Sequence, residues 1–107
     1  SNLTTASADG GFTAAVDAVD GAKAYVWHAT PVGKTGPSNA TIMFCTTAPE
    51  LSVPADASSR VAGDKIYVYA QAYPEVGQGA DQYAQAEWLN EHGSGSAWSS
   101  GVSVTIK

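Results

Sequence analysis

The residues of this chain that could bind a phosphate lie between His28 and Thr35. Gly33-Lys34-Thr35 has the ending of a P-loop, in which glycine amides and a lysine surround the phosphate. That motif also needs an earlier glycine, where this chain has His28, and a helix after the threonine, where it has Gly36-Pro37. No helix can begin there and present its N-terminal amides. We therefore predict a plain surface loop.

Other candidate catalytic and metal-binding side chains lack the spacing that their chemistry requires. The G-x-S-x-G pattern of a serine nucleophile does not occur in the sequence. His28 and His92 have no third clustered ligand for zinc. Asp17 and Asp20 lack the spacing of an EF-hand calcium loop, so turn formation is the favoured role and a calcium site the alternative. We predict no catalytic residue, no metal and no cofactor.

The carboxylates and the thiol also favour structural roles. A glycosidase needs two carboxylates facing each other across a cleft, but Glu75, Glu87 and Glu91 fall within one segment, which indicates a solvated charged face. Cys45 follows three apolar residues and is predicted to be a buried small hydrophobe rather than a reactive thiol. As the only cysteine, it cannot form a disulfide within the chain.

Aromatic residues are the remaining candidates for ligand binding. In the strand predicted over 65–73, an aliphatic face that begins at Ile66 alternates with a tyrosine face. If the aliphatic face is core, the tyrosines form a row at about 7 Å spacing, which could stack on sugar rings or anchor a protein partner. Alternatively, the tyrosines are core or are covered by the segment that follows. The candidate partner- or glycan-binding residues are Tyr67, Tyr69, Tyr73, Tyr83 and Trp88.

Composition narrows the class of protein. The net charge is −5, and the five basic residues are scattered, so a basic patch for nucleic acid or an anionic membrane is not expected. No apolar run has the length of a membrane span, and we predict no membrane insertion. The chain starts at Ser1 without Met, which suggests a module of a larger protein with neighbouring domains.

The chain is predicted to form a single all-β domain over 1–107. Hydrophobic residues make up 44% and charged residues 14%, and turn residues separate short apolar runs. These patterns predict an antiparallel two-sheet sandwich of about seven strands. The predicted strands lie near 3–7, 11–18, 23–30, 41–47, 49–54, 65–73 and 97–106.

A long insertion, residues 74–96, precedes the last strand. Alternation between Tyr83 and Asn90 favours an added strand pairing with 65–73. The alternative is a short helix over 81–92 capped by Asp81, since alanine, glutamine, glutamate and leucine favour helices. Long loops in compact domains are frequently functional, which makes the insertion a candidate site.

Three segments resemble the fibronectin type III family. GSGSAWSSGVSVTIK (93–107) is similar to its last strand, and VDAVDGAKAYVW (16–27) to its opening strand, turn and strand, with Val16 where the family usually has a core tryptophan. VAGDKIYVYAQAY (61–73) is similar to its turn and following long strand. The resemblance implies a fibronectin type III-like, immunoglobulin-like sandwich. The predicted core is Phe12, Val16, Tyr25, Val68, Val102, Val104 and Ile106, with Trp98 packed over one end.

The resemblance implies a function without catalysis. We expect a structural or adhesive interaction module of a larger extracellular, cell-surface or virion assembly, such as a bacterial surface protein or a phage tail or capsid component. Its partner would be a protein or a surface glycan. The alternative is a carbohydrate-binding module that uses an exposed aromatic face, and a small enzyme is the remote alternative.

Overall fold

The protein is mostly β-structure. The structure, a computed structural model, describes residues 3–8, 10–30, 33, 36, 42–54, 62–92 and 101–107. These residues form seven strands and one helix. In chain order the elements are β1 (Thr4–Ala8), β2 (Gly11–Ala15), β3 (Ala24–Ala29), β4 (Ile42–Thr46), β5 (Glu50–Val53), β6 (Lys65–Tyr73), α1 (Gln82–His92) and β7 (Val102–Thr105).

The strands form two antiparallel sheets. One has three strands in the order β1-β2-β5, and the other has four in the order β4-β3-β6-β7. Phe12 and Val53 of the first sheet share a buried cluster with Trp27 and Ile66 of the second, so the core lies between the sheets. The prediction of a β protein with two antiparallel sheets is therefore confirmed, with one helix in addition to the strands.

Most predicted strands match the observed ones closely. β6 occupies the predicted range 65–73, and Ile66 and Val68 on its aliphatic face are fully buried. The Asp20-Gly21 turn is also present, with Gly21 at φ +80°, a conformation that favours glycine. Only residues 101–106 of the last predicted strand, 97–106, are described.

The core prediction is confirmed for most of its members. Five of the seven predicted core residues are buried, namely Phe12, Tyr25, Val68, Val104 and Ile106. Val16 and Val102 are half-buried and pack against the same cluster. Trp98 lies outside the described residues. The largest fully buried side chain among the described residues is Trp27, and its indole N–H donates to Thr46 Oγ1 at 2.9 Å.

The insertion forms a helix, so the prediction of an added strand is wrong. β6 pairs with β3 along one edge and with β7 along the other, which leaves no edge for another strand. Asp81 caps the helix, since its Oδ1 accepts a hydrogen bond from the Ala84 N–H at 2.8 Å. No helix in the described part of the chain is long and apolar enough to cross a membrane.

Candidate functional site

The aromatic candidates on β6 belong to the outer face of the four-stranded sheet, and α1 covers part of that face. The helix packs against β4 and β3. Ala86 and Leu89 on its inner side are fully buried in a cluster with Val26, Cys45 and Tyr73 of the sheet. The sheet is therefore enclosed on both sides where α1 lies, which explains why all six residues of β3 are buried.

Two glycines let the segment after β6 approach the helix closely. A Cβ atom at Gly77 would lie 2.7 Å from the backbone oxygen of Gln85. A Cβ at Gly79, which has φ +151°, would lie 2.6 Å from the Cβ of Ala84. Any larger residue would push this segment away from α1, so the glycines position the helix rather than act as flexible joints.

Tyr73 is buried beneath the helix. Its side chain is 3% exposed, and its hydroxyl lies 2.7 Å from Gln71 Oε1 and 3.0 Å from Asn90 Oδ1. One hydroxyl proton can be donated to only one of these two oxygens at a time. Burial raises the pKa of Tyr73, and the charge of Glu75 and the Cys45 thiol raise it further. The phenol is therefore neutral at neutral pH and connects β6 to α1.

Tyr69 is also removed from solvent. Its side chain is 9% exposed, and its hydroxyl accepts a hydrogen bond from the Gly36 N–H at 2.6 Å. Its ring lies over Gly101, where a Cβ atom would come within 2.5 Å of the ring. This close approach requires glycine at position 101, and it leaves little of the ring for a ligand.

The other three candidates are placed differently. Tyr67 is half-buried, with the Lys65 ammonium 5.8 Å from the centre of its ring, within the range of a cation–π contact. Trp88 is half-buried on α1 and stacks on His92 with 5.1 Å between the ring centres. Tyr83 lies in the first turn of α1, and its side chain is outside the described part of the structure.

Of the two alternatives for the tyrosine face, these positions favour covered tyrosines over an exposed row. The aliphatic face of β6 packs in the core between the two sheets. On the opposite face of the strand, Tyr69 and Tyr73 are covered. The structure therefore brings Tyr73 and Trp88 into one cluster beside α1 without presenting a continuous aromatic platform. A binding role for the five candidate residues stays a prediction.

Sequence reasoning missed the polar contact between His28 and Asn90. His28 is buried on β3, and its Nε2 lies 3.4 Å from Asn90 Nδ2. Asn90 thus faces His28 with its nitrogen and Tyr73 with its oxygen. The feature of the sequence that could have predicted this contact is the helical spacing of Ala86 and Leu89, because it places Asn90 next to the same face of the helix.

Cys45 is a buried free thiol under the helix. Burial raises its pKa, and a backbone hydrogen bond from Gly77 partly offsets that effect. The thiol therefore stays protonated at neutral pH, and protonated thiols are poor nucleophiles. This agrees with the predicted role as a small hydrophobe within the cluster that supports α1.

An open groove of about 940 Å³ extends from the three-stranded sheet, at Thr13 and Ser52, to the start of α1 at Asp81. Thr46 and Glu50 also line it. Two of its polar groups already serve the fold, because Asp81 caps the helix and Thr46 accepts from the Trp27 indole. The described lining residues therefore indicate that this groove is a gap between α1 and the edge of the three-stranded sheet.

Comparisons with known proteins found no match to this chain. No family model matches the chain, no curated protein matches its sequence, and no solved structure matches its fold. Within the described residues, no three side chains of histidine, cysteine, aspartate or glutamate gather as a metal site would require. Asp17 and Asp20, the calcium alternative, are exposed beside the Gly21 turn.

Proposed function

We propose that this chain is a non-catalytic, fibronectin type III-like module that serves a structural or adhesive role in a larger extracellular or virion-surface assembly. The observation that carries the proposal is the strand order, β1-β2-β5 facing β4-β3-β6-β7. That order pairs β6 with β7, two strands that lie in two of the segments resembling the family. The buried cluster between the sheets gives such a module a core of its own.

The polar groups of the described site support an interaction role over a chemical one. The Tyr73 hydroxyl contacts Gln71 and Asn90, and Thr46 and Asp81 stabilise the core and the helix end. Among the described side chains of α1, Trp88 is an aromatic one that is partly open to solvent. Large rigid side chains of this kind are common anchors of protein interfaces. We therefore place the expected partner contact around Trp88 on α1.

Adhesion of beads coated with the chain tests this proposal. The beads would be applied to whole bacterial cells, and retention would be compared between the original chain, Trp88→Ala and the neighbouring surface variant Glu87→Ala. We expect at least a tenfold loss of retention for Trp88→Ala, because interface anchors contribute about 2 kcal/mol or more. Glu87→Ala should bind as the original chain does. Equal retention of all three, with both variants folded by circular dichroism, would contradict the proposed adhesive surface.

Carbohydrate binding is the second candidate, and the Trp88–His92 stack is the observation that favours it. The exposed part of a half-buried indole can pack against a sugar ring. A glycan array separates the two candidates. Binding of purified oligosaccharides that Trp88→Ala abolishes would favour carbohydrate recognition. Retention on cells that protease treatment of the cells removes would favour a protein partner.

A further inference from the structure

β5 is an outer strand of the three-stranded sheet, and among the described residues it pairs with β2 alone. The Val16 N–H donates to the Pro49 backbone oxygen at 2.9 Å and continues the register of that ladder. Because hydrogen-bonded and non-hydrogen-bonded pairs alternate along an antiparallel ladder, the backbone groups of Leu51 also point to β2. The N–H and C=O groups of Glu50 and Ser52 therefore point away from β2, to the outer edge of the sheet.

The other edges of the two sheets have closer neighbours. β1 and β7 lie against each other, and β4 packs against α1. Within the described elements, β5 packs extensively against β2 alone. An open strand edge is a template for pairing with another chain. The edge formed by Glu50 and Ser52, which we call the β5 edge, is therefore the most accessible edge among the described strands.

The open groove of about 940 Å³ lies alongside the β5 edge. Its lining includes Glu50 and Ser52 on the side of the sheet. On the side of α1 it includes Thr47, Asp81 and Gln85. An added strand would occupy the space about 4.8 Å from β5. The groove leaves that space accessible, and its volume lies within the range of about 300–1,000 Å³ that ligand sites have. It can therefore hold a short extended segment.

The charge of the groove indicates which kind of segment it accepts. Glu50 and Asp81 contribute carboxylates, both residues are exposed, and no lysine or arginine belongs to the described lining. Basic side chains on an added strand would therefore meet complementary charge. A second copy of this chain is disfavoured, because each copy has a net charge of −5. The favoured occupant is an extended peptide segment that carries lysine or arginine.

We propose that the β5 edge binds an extended segment of a partner protein that contains lysine or arginine, and that this segment becomes a fourth strand of the three-stranded sheet. Glu50 and Ser52 each offer one N–H and one C=O for the added ladder. Pro49 and Pro54 limit its length, since proline has no N–H. Main-chain hydrogen bonds supply affinity in such complexes, and alternate side chains supply specificity. Trp88 is not part of the β5 edge, so this inference is independent of the adhesive contact proposed above.

Amide hydrogen exchange of the unmodified chain, followed by NMR, tests the proposal directly. The probe is a soluble peptide of alternating threonine and lysine. One comparison peptide has glutamate in place of lysine. Another keeps the lysines but is N-methylated at every residue, so it cannot form a ladder. We expect the lysine peptide at saturation to slow exchange of the Glu50 and Ser52 amides at least tenfold, and the two comparison peptides to leave their exchange unchanged.

Each peptide can contradict a different part of the proposal. Unchanged exchange of both amides with the lysine peptide would overturn it entirely. Equal protection by the N-methylated peptide would overturn strand addition, since charge alone would then account for binding. Equal protection by the glutamate peptide would overturn the assignment of a basic partner.

Two variants at Ser52 separate the edge N–H from the side chain. Ser52→Pro removes an N–H that points away from β2, whereas Ser52→Ala keeps that N–H and removes only the hydroxyl. We expect the proline variant to bind the lysine peptide about fivefold more weakly than the alanine variant, the change that corresponds to about 1 kcal/mol for one hydrogen bond. Equal affinities of the two folded variants would overturn the role of the edge. If urea unfolding shows the proline variant to be unfolded, the exchange measurement on the unmodified chain decides the proposal.

A pair of charge variants tests the groove itself. Glu50→Gln keeps the backbone of the β5 edge and should weaken binding of the lysine peptide about threefold. Glu87→Gln changes the net charge equally at an exposed position of α1 outside the described lining, and it should bind as the original chain does. Equal weakening by both variants would assign the attraction to the net charge of the chain and overturn the role of Glu50. Unchanged bead retention of Trp88→Ala would overturn the adhesive surface and not this inference.

Discussion

The outer faces of the two sheets are built from different residues and end in different surroundings. On the three-stranded sheet, exposed small or polar residues such as Thr4, Ala6, Thr13 and Ser52 alternate with buried or half-buried ones. On the four-stranded sheet, β3 is buried along its whole length because α1 lies over it. A strand without polar alternation thus indicates a second covering layer.

The difference also separates the two faces in chemistry. Hydroxyl groups on the open face can remain hydrogen-bonded to water, and its small methyl groups expose little apolar area. The covered face carries Cys45 and Tyr73, whose polar atoms are partnered or neutral. Burying a polar group without a hydrogen bond would destabilise the fold, so the contact between Tyr73 and Asn90 is part of what makes covering this face possible.

Removing the covering layer should have the largest effect. Replacement of 82–92 by a Gly/Ser linker exposes Val26, Cys45 and Tyr73 and loses the burial of Leu89. We expect the free energy of unfolding to fall by about 3–6 kcal/mol, at about 1.5–3 kcal/mol for each large apolar side chain returned to water. Urea unfolding followed by fluorescence measures it. A loss below about 1 kcal/mol would mean that the helix is a loosely attached element and that the comparison of faces is wrong.

A single cavity in the covered face should have the next largest effect. Leu89→Ala is expected to cost about 2–5 kcal/mol because the side chain is fully buried. Thr13→Ala on the open face is the matched control, and such a surface change should stay within about 0.5 kcal/mol. Thermal melts of the two variants under identical conditions give the comparison. Similar melting temperatures would contradict the assignment of covered and open faces.

The helix cap should contribute a smaller amount. Asp81→Ala removes the acceptor for the Ala84 N–H and should cost about 1 kcal/mol. Asp81→Ser keeps an oxygen at the cap and should recover most of that loss. Urea midpoints of the three proteins measure the effect. If the serine variant were no more stable than the alanine variant, the charge of Asp81 rather than its hydrogen bond would be the stabilising feature.

The smallest expected effect is a loss of folding stability at alkaline pH. This loss does not occur at neutral pH. Burial raises the pKa of both Cys45 and Tyr73 in the folded state, above ordinary values of 9.0 and 10.0. The folded protein therefore holds these protons more tightly than the unfolded chain does. Stability should be constant below the ordinary values and decline as pH rises through them toward the raised folded values.

Urea unfolding between pH 7 and 11 tests this expectation. Cys45→Ala removes the thiol and should delay the decline to the range in which Tyr73 titrates. Tyr73→Phe should remove the later part of the decline. A decline of the same onset and slope in the double variant would assign the pH dependence to other groups.

Part of the fold followed from local chemistry. The alternation of Ile66, Val68 and the residues after them predicted β6 and the residues that share each of its faces, and the Asp20-Gly21 pair predicted the turn before β3. The Asp81 cap belonged to the helical alternative for the insertion. These features depend on residues close in sequence, and the patterns that predict them are therefore visible without the fold.

The sequence by itself determined which residues share a face of a strand and where most strands begin and end, because side-chain direction alternates along an extended chain. Only the tertiary structure decided that the insertion is helical and that Tyr69 and Tyr73 are covered. Both outcomes depend on neighbours distant in sequence. β3 and β7 occupy the edges of β6, and Gly36, Gly101 and Asn90 approach the tyrosines.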